Sequence, residues 1–423
     1  MKTLINKFLI VIIAASALGC SHKTAPTANY NKSTTIDEPT VVVHSDSILV
    51  RNNNLFALEL YRQVSTGGTN VFYCPFSISA ALAMTYAGAR GTTESQMSRV
   101  LHFSSDQHRF HADYKELLKH LNSLEKKDSL EMSLANSMWV QKDYPFLSSY
   151  TDLVKKQYKA GLKNVDFKTE LNKSRLAINK WVEDETNAKI KDLLVDGSLS
   201  DLTRLVLVNA IYFKGAWEKP FRAEDTRKMD FMLSAAKPVN TDFMVIEHKF
   251  GYAETEAVQV LELPYAGKSV SMIVFLPKQA DGIASLEKGF SIENYYAWTA
   301  SLKMQNAKVF IPKFSMTEEF ELSDVLKKMG MTDAFSLAAD FSGMTGTKDL
   351  LIDKVVHKAF IDVNEKGTEA AAATAVVIRE KSMPMNVVTF RADHPFMFVL
   401  RDNATNNILF IGKVANPSAE GED

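Results

Sequence analysis

The spacing of apolar positions divides the chain into short elements of two kinds. Residues 53–64 carry Leu55, Phe56, Leu58, Leu60 and Tyr61 at helical spacing. Residues 75–87, with Ser77 and Ser79 near their start, read as a buried helix. Residues 176–194 form an amphipathic pattern in which Ile178, Trp181, Val182, Ile190, Leu193 and Leu194 are apolar. Strand-like runs cover 205–213, 269–276, 308–311, 355–363 and 395–400. Helices dominate the first half and strands the second, and no long polar linker follows residue 48. This pattern predicts one mixed α+β domain of about 375 residues.

One segment fits neither template cleanly. Asn364-Glu365-Lys366-Gly367-Thr368-Glu369 is polar and charged, Ala370 to Ala373 are all alanine, and Thr374-Ala375-Val376-Val377-Ile378 turns β-branched. Read with period two, one face carries Thr368, Ala370, Ala372, Thr374, Val376 and Ile378, without charge and without bulk in its first half. Such a face can slide into the middle of a sheet. Alanine is also the best helix former, so a short helix stays open from this segment alone.

Composition adds little to the class. The chain has 423 residues, 46% apolar and 10% aromatic, which suffices for a large core. A net charge of −1 gives no bulk attraction to nucleic acid or anionic lipid. The N-terminus is distinctive. Lys2 and Lys7 precede a mostly apolar run from Phe8 to Leu18, too short to span a bilayer but suited to a signal-peptide core. The run leads into Gly19-Cys20, which resembles a bacterial lipoprotein box with Cys20 as the lipidated residue. The large aliphatic residue usual three positions before the cysteine is Ala17 here, with Leu18 one later. Ordinary secretory cleavage near Ala17 or Gly19 is the alternative. The expected organisation is a lipoprotein signal peptide over 1–20, a flexible Ser/Thr/Asn-rich tether over 21–47 and a folded domain over 48–423. The product is expected to be exported and lipid-anchored to a bacterial membrane, at the cell surface or in the periplasm, or else secreted. With Cys20 lipidated only Cys74 remains, so no internal disulfide is expected.

Catalytic signatures are missing. There is no Gly-rich phosphate loop, no Gly-x-Ser-x-Gly elbow and no Cys-x-x-Cys. His102, His108 and His111 lie among Ser104, Ser105, Asp106, Gln107 and Arg109, which reads as a solvated loop rather than a metal site. Lys115, Lys119, His120, Lys126 and Lys127 are interleaved with Glu116, Glu125 and Asp128, a mixed surface rather than a polyanion patch. No cofactor, metal or nucleic-acid partner is expected.

Seven stretches in order then give a specific resemblance. The run 364–378 resembles the hinge of an inhibitory serpin. Asn70-Val-Phe-Tyr-Cys-Pro-Phe-Ser-Ile-Ser79, Leu207-Val-Asn-Ala-Ile-Tyr-Phe-Lys-Gly-Ala-Trp217, Leu261-Glu-Leu-Pro-Tyr265, Ile311-Pro-Lys-Phe314, His357-Lys-Ala and Phe390-Arg-Ala-Asp-His-Pro-Phe396 resemble serpin signatures over about residues 48–416. The resemblance implies an α+β serpin fold, with helices packed around three β-sheets and an exposed reactive loop between Gly367 and Phe390. It implies suicide inhibition of a serine-type endopeptidase, with a cysteine-type one as a further target class. The cleaved loop would enter a five-stranded sheet as a sixth, central strand and carry the acylated protease with it. From Thr368 to Lys381 is 14 residues, about 45 Å when extended.

Counting the hinge Gly367 as first, the family's scissile bond falls on Lys381–Ser382, with Arg379 as the alternative reactive residue. Either suits a trypsin-like or Lys/Arg-specific protease, bound as a covalent acyl complex by a monomeric inhibitor. The implied hinge comprises Glu365, Gly367, Thr368, Glu369, Ala370, Ala371, Ala372, Ala373 and Thr374. Ser77, Asn209 and His357 match the shutter beneath the insertion path, with Cys74 where the family has a serine, which is expected to weaken one hydrogen bond. Trp217 and the pair Glu365 and Lys313 match the breach where the loop enters. Small residues at the hinge argue against the alternative, a non-inhibitory serpin acting as a carrier or structural protein.

Overall fold

The structure is a computed structural model that describes residues 47–65, 67–128, 130–160, 162–234, 236–368 and 386–419. The helices are α1 (Ile48–Val64), α2 (Pro75–Tyr86), α3 (Gly91–Leu101), α4 (Gln107–Asp128) and α5 (Ser148–Tyr158). They continue with α6 (Leu171–Glu185), α7 (Ile283–Gly289), α8 (Ile292–Ala300), α9 (Ser323–Met329) and α10 (Ser342–Thr345). The early strands are β1 (Val71–Tyr73), β2 (Glu131–Gln141), β3 (Leu162–Val165), β4 (Leu205–Ala216) and β5 (Arg227–Ser234). Next come β6 (Lys237–Glu254), β7 (Val258–Pro264), β8 (Val270–Pro277), β9 (Lys303–Pro312) and β10 (Phe314–Glu321). The last are β11 (Lys354–Asn364), β12 (Gly367–Thr368), β13 (Val388–Arg391), β14 (Phe396–Asp402) and β15 (Ile408–Val414).

These strands form two hydrogen-bonded arrays. Nine run in the order β1-β15-β14-β8-β7-β6-β9-β13, with β5 on β6, and six in the order β10-β11-β12-β4-β2-β3. Of the three sheets expected, two are joined here, because the 18-residue β6 pairs with β5 and β9 along its length and with β7 at its end.

Helix α2 lies inside the molecule. Pro75 opens it, where a missing N–H costs nothing, and all twelve of its residues are buried. It packs against β2, β4 and β15 and so forms the floor of the six-stranded sheet. A second apolar cluster covers the other face of that sheet: Ile178 and Val182 of α6 meet Val206, Val208 and Ala210 of β4 and Val356 of β11. The single helix expected over 176–194 stops at Glu185, because Asn187 and Ala188 adopt positive φ. The chain then folds back, with the Asn179 side chain donating to the Leu194 carbonyl at 2.9 Å and accepting from the Leu194 amide at 2.8 Å. Ile190, Leu193 and Leu194 therefore reach the same cluster without being helical.

Candidate functional site

The six-stranded sheet is forked. Strands β4 and β11 pair directly and in parallel from Val206 and Lys354 up to Tyr212 and Phe360. Above that point β12 wedges between them, antiparallel to both: Thr368 lies opposite Gly215 and Val363, and Gly367 opposite Ala216 and Asn364. Only glycine suits the first wedge position. Its φ is +149°, and a Cβ there would sit 2.0 Å from the Gly215 carbonyl oxygen. Thr368 is fully buried and its hydroxyl meets the Tyr265 hydroxyl at 2.7 Å.

The mouth of the fork is braced on all sides. Trp217 stacks on Tyr265 with ring centroids 4.6 Å apart, and its Nε1 donates to the Asn364 carbonyl at 3.0 Å. Its amide donates to the Lys366 carbonyl at 3.0 Å. Glu365 accepts from the Thr226 hydroxyl at 2.9 Å and pairs with Lys313 at 3.1 Å. Burial pushes the Glu365 carboxyl up, but its own backbone amide, Thr226 and Lys313 outweigh that, so it lies below the usual range.

Beneath the closed part of the sheet is a buried polar network. His357 Nδ1 donates to Asn209 Oδ1, and Asn209 Nδ2 donates to Ser77 Oγ and Asn136 Oδ1. Ser77 Oγ donates to Asn136 Oδ1 at 2.6 Å. The amide of Cys74 donates to His357 Nε2 at 3.1 Å. With one ring nitrogen donating and the other accepting, the imidazole is neutral. Complete burial keeps it so, lowering its pKa to about 3. The network ties α2 to β2, β4 and β11, so separating β4 from β11 breaks the His357–Asn209 bond.

On the outer face the last pair below the fork is aromatic, Tyr212 stacked on Phe360 at 6.5 Å. Toward the sheet edge Lys163 of β3 lies over both Trp139 of β2 and Trp181 of α6, at 5.5 and 4.9 Å from the ring centroids. That contact holds α6 against the sheet.

Comparison with known proteins gives this geometry a family. The model described as "Serpin (serine protease inhibitor)" matches residues 51–417. The chain belongs to the serpin family. It is 40% identical to human (Homo sapiens) Serpin B4 over 385 residues, 86% of this chain and 98% of that protein. It is 41% identical to the leukocyte elastase inhibitor of Sus scrofa over 375 residues, again 86% and 98%. Among solved structures, uncleaved ovalbumin superposes with a TM-score of 0.79 at 33% identity, covering 87% of this chain and 100% of that one.

The serpin residues expected at the breach and shutter gather in two places. Trp217, Glu365, Lys313, Gly367 and Thr368 meet at the mouth of the fork, and Ser77, Asn209, His357 and Cys74 meet under it. One expectation needs correction. The loop is not exposed from Gly367 to Phe390: Gly367 and Thr368 are already buried sheet residues, and Phe390 is buried in β13, paired in parallel with β9. Cys74 joins the network through its main chain, its amide donating to His357 Nε2. Burial pushes its thiol up to about 12, against the pull of the Ser77 and Phe76 amides. Glu369, Ala370 to Ala373, Thr374, Arg379, Lys381, Ser382 and Cys20 lie outside the described residues.

Three participants were missed in the sequence. Asn136, Tyr265 and Thr226 each complete a contact from another strand or turn. Tyr265 lay in a recognised stretch, yet nothing local marked its hydroxyl as the partner of Thr368.

Proposed function

We propose that this serpin inhibits a trypsin-like or Lys/Arg-specific endopeptidase by letting it cleave Lys381–Ser382 and then inserting the cleaved loop between β4 and β11. The observation that carries this reading is the wedge, since the first two hinge residues already occupy the slot that the rest would fill. Each further loop residue would step one position back along both neighbours. In that register Thr374 falls opposite both Asn209 and His357, and Ala375 opposite Val208 and Val356 under α6. Val377 falls opposite Lys354 and Ile378 opposite Leu205, the lowest residues of the two strands. Lys381 then lies just past the end of the sheet, where a trapped protease would be pressed against the base of the domain.

The chemistry of the run agrees with this path. Thr374 is the one inward polar residue between Thr368 and Ile378, and it falls where the His357–Asn209 bond must open. Its hydroxyl can both donate and accept there, so the buried network need not be left with orphaned groups. Ala371, Ala373 and Ala375 present only methyl groups beneath α6, so insertion there needs little repacking. The free energy held in the uninserted state makes its persistence kinetic. Cys20 is proposed as the lipid attachment site, tethering the inhibitor to a membrane through residues 21–47.

An SDS-stable complex with trypsin, one inhibitor to one protease, tests this function. Cleavage of the loop without such a complex would place the chain with non-inhibitory serpins.

A further inference from the structure

Three cations crowd one aromatic ring beside the far end of the reactive loop. Arg227 of β5 and Arg391 of β13 place their guanidinium carbons 5.2 and 4.8 Å from the centroid of Phe310 on β9, and Lys308 places Nζ at 5.8 Å. All three side chains are exposed, and Phe310 beneath them is only 3% exposed. The three charges therefore lie within roughly one Debye length of each other, about 10 Å.

Neighbouring cations are neutralised and these are not. Arg222 pairs with Glu224 and with Asp225, and Lys228 pairs with Asp242 at 3.2 Å. The side chains of Arg227, Lys308 and Arg391 make no ion pair or hydrogen bond among the described residues. Glu247 stands opposite Lys308 in the strand register but forms no ion pair with it. The face thus holds a surplus of positive charge on a chain whose net charge is only −1.

The position says what meets that surplus. Strand β13 receives the chain directly from the reactive loop, and Arg391 lies nine positions after Ser382, at most about 30 Å of extended chain. A protease bound at Lys381–Ser382 would therefore be tethered within about 30 Å of Arg391. We infer that Arg227, Lys308 and Arg391 form an exosite that docks an acidic surface of the target protease before cleavage, speeding association by electrostatic steering. This rests on the inhibitory reading above.

The test replaces all three by glutamine (Arg227→Gln, Lys308→Gln and Arg391→Gln), which removes the charges and keeps much of each stem over Phe310. Association rates are measured with an anionic and a cationic trypsin of the same primary specificity. At low salt, about 50 mM, the variant should combine with the anionic enzyme about tenfold more slowly than the native chain. The gap should close near 1 M salt, and the cationic enzyme should show no loss. Equal rates for variant and native chain, or equal losses with both enzymes, overturn the exosite. So does a difference that needs added sulfated polysaccharide, which would assign the cations to a polyanion. If the native chain traps neither trypsin, the inhibitory reading fails on its own. Binding of a catalytically inactive anionic trypsin then decides the exosite, and equal, salt-independent binding of both chains overturns it.

Discussion

Replacing Thr368 by arginine tests the insertion mechanism at its first step. Thr368 is fully buried, faces the Tyr265 hydroxyl at 2.7 Å and sits between Gly215 and Val363. A guanidinium in that slot would be an unpaired buried charge, costing about 3 kcal/mol or more. Loss of the threonine hydroxyl adds about 1 kcal/mol. The two-residue β12 cannot oppose that, so the hinge should leave the sheet while the pairing of β4 with β11 below it holds the fold. The loop stays cleavable. Insertion must then re-bury the arginine, and about 3 kcal/mol on that barrier slows it roughly a hundredfold. Deacylation then wins. The assay is titration of trypsin against Thr368→Arg and a Thr368→Ser control, read as stoichiometry of inhibition and as the ratio of complex to cleaved inhibitor on SDS gels. The arginine variant should run almost wholly as substrate and the serine variant close to native. An unchanged stoichiometry for Thr368→Arg would refute the reasoning.

Further outcomes follow from the same geometry. Mass spectrometry of the fragment released from a trypsin complex should give a new N-terminus at Ser382. One at Glu380 would transfer the reactive role to Arg379, and one outside residues 376–386 would mean the register is misread. Lys381→Ala should lose inhibition of trypsin-like enzymes, because a charged side chain enters their pocket only against a buried acid. His357 is held neutral with its pKa lowered to about 3, so the unfolded chain takes up the proton first as pH falls. Its contribution is present above about pH 6.5 and fades progressively from there toward pH 3. His357→Gln, with no proton to gain, should therefore show a flatter fall in Tm over that range, and a parallel curve would contradict it. Cys20→Ala should move the protein out of the detergent phase in a partitioning assay while trypsin inhibition is unchanged; partitioning equal to native would remove the lipid anchor.

Periodicity alone marked several of the elements that build the site. The runs at 205–213 and 355–363 are the cores of β4 and β11, and 75–87 is α2 with one residue trimmed. Residues 186–194 were misjudged because apolar spacing reports burial. A turn pinned by Asn179 buries Ile190, Leu193 and Leu194 as well as a helix would. The ordered stretches likewise marked the breach and shutter, and the small hinge residues suggested where a strand could enter. Periodicity left helix and strand open for that run, and only pairing with β4 and β11 makes Gly367 and Thr368 a strand. Asn136 with Ser77, and Cys74 with His357, are bonded across 59 and 283 positions, and the three cations over Phe310 come from three strands. Local pattern fixes which face of an element turns inward. Which polar groups then meet there depends on sheet order and register, and those are set only when distant segments pack together.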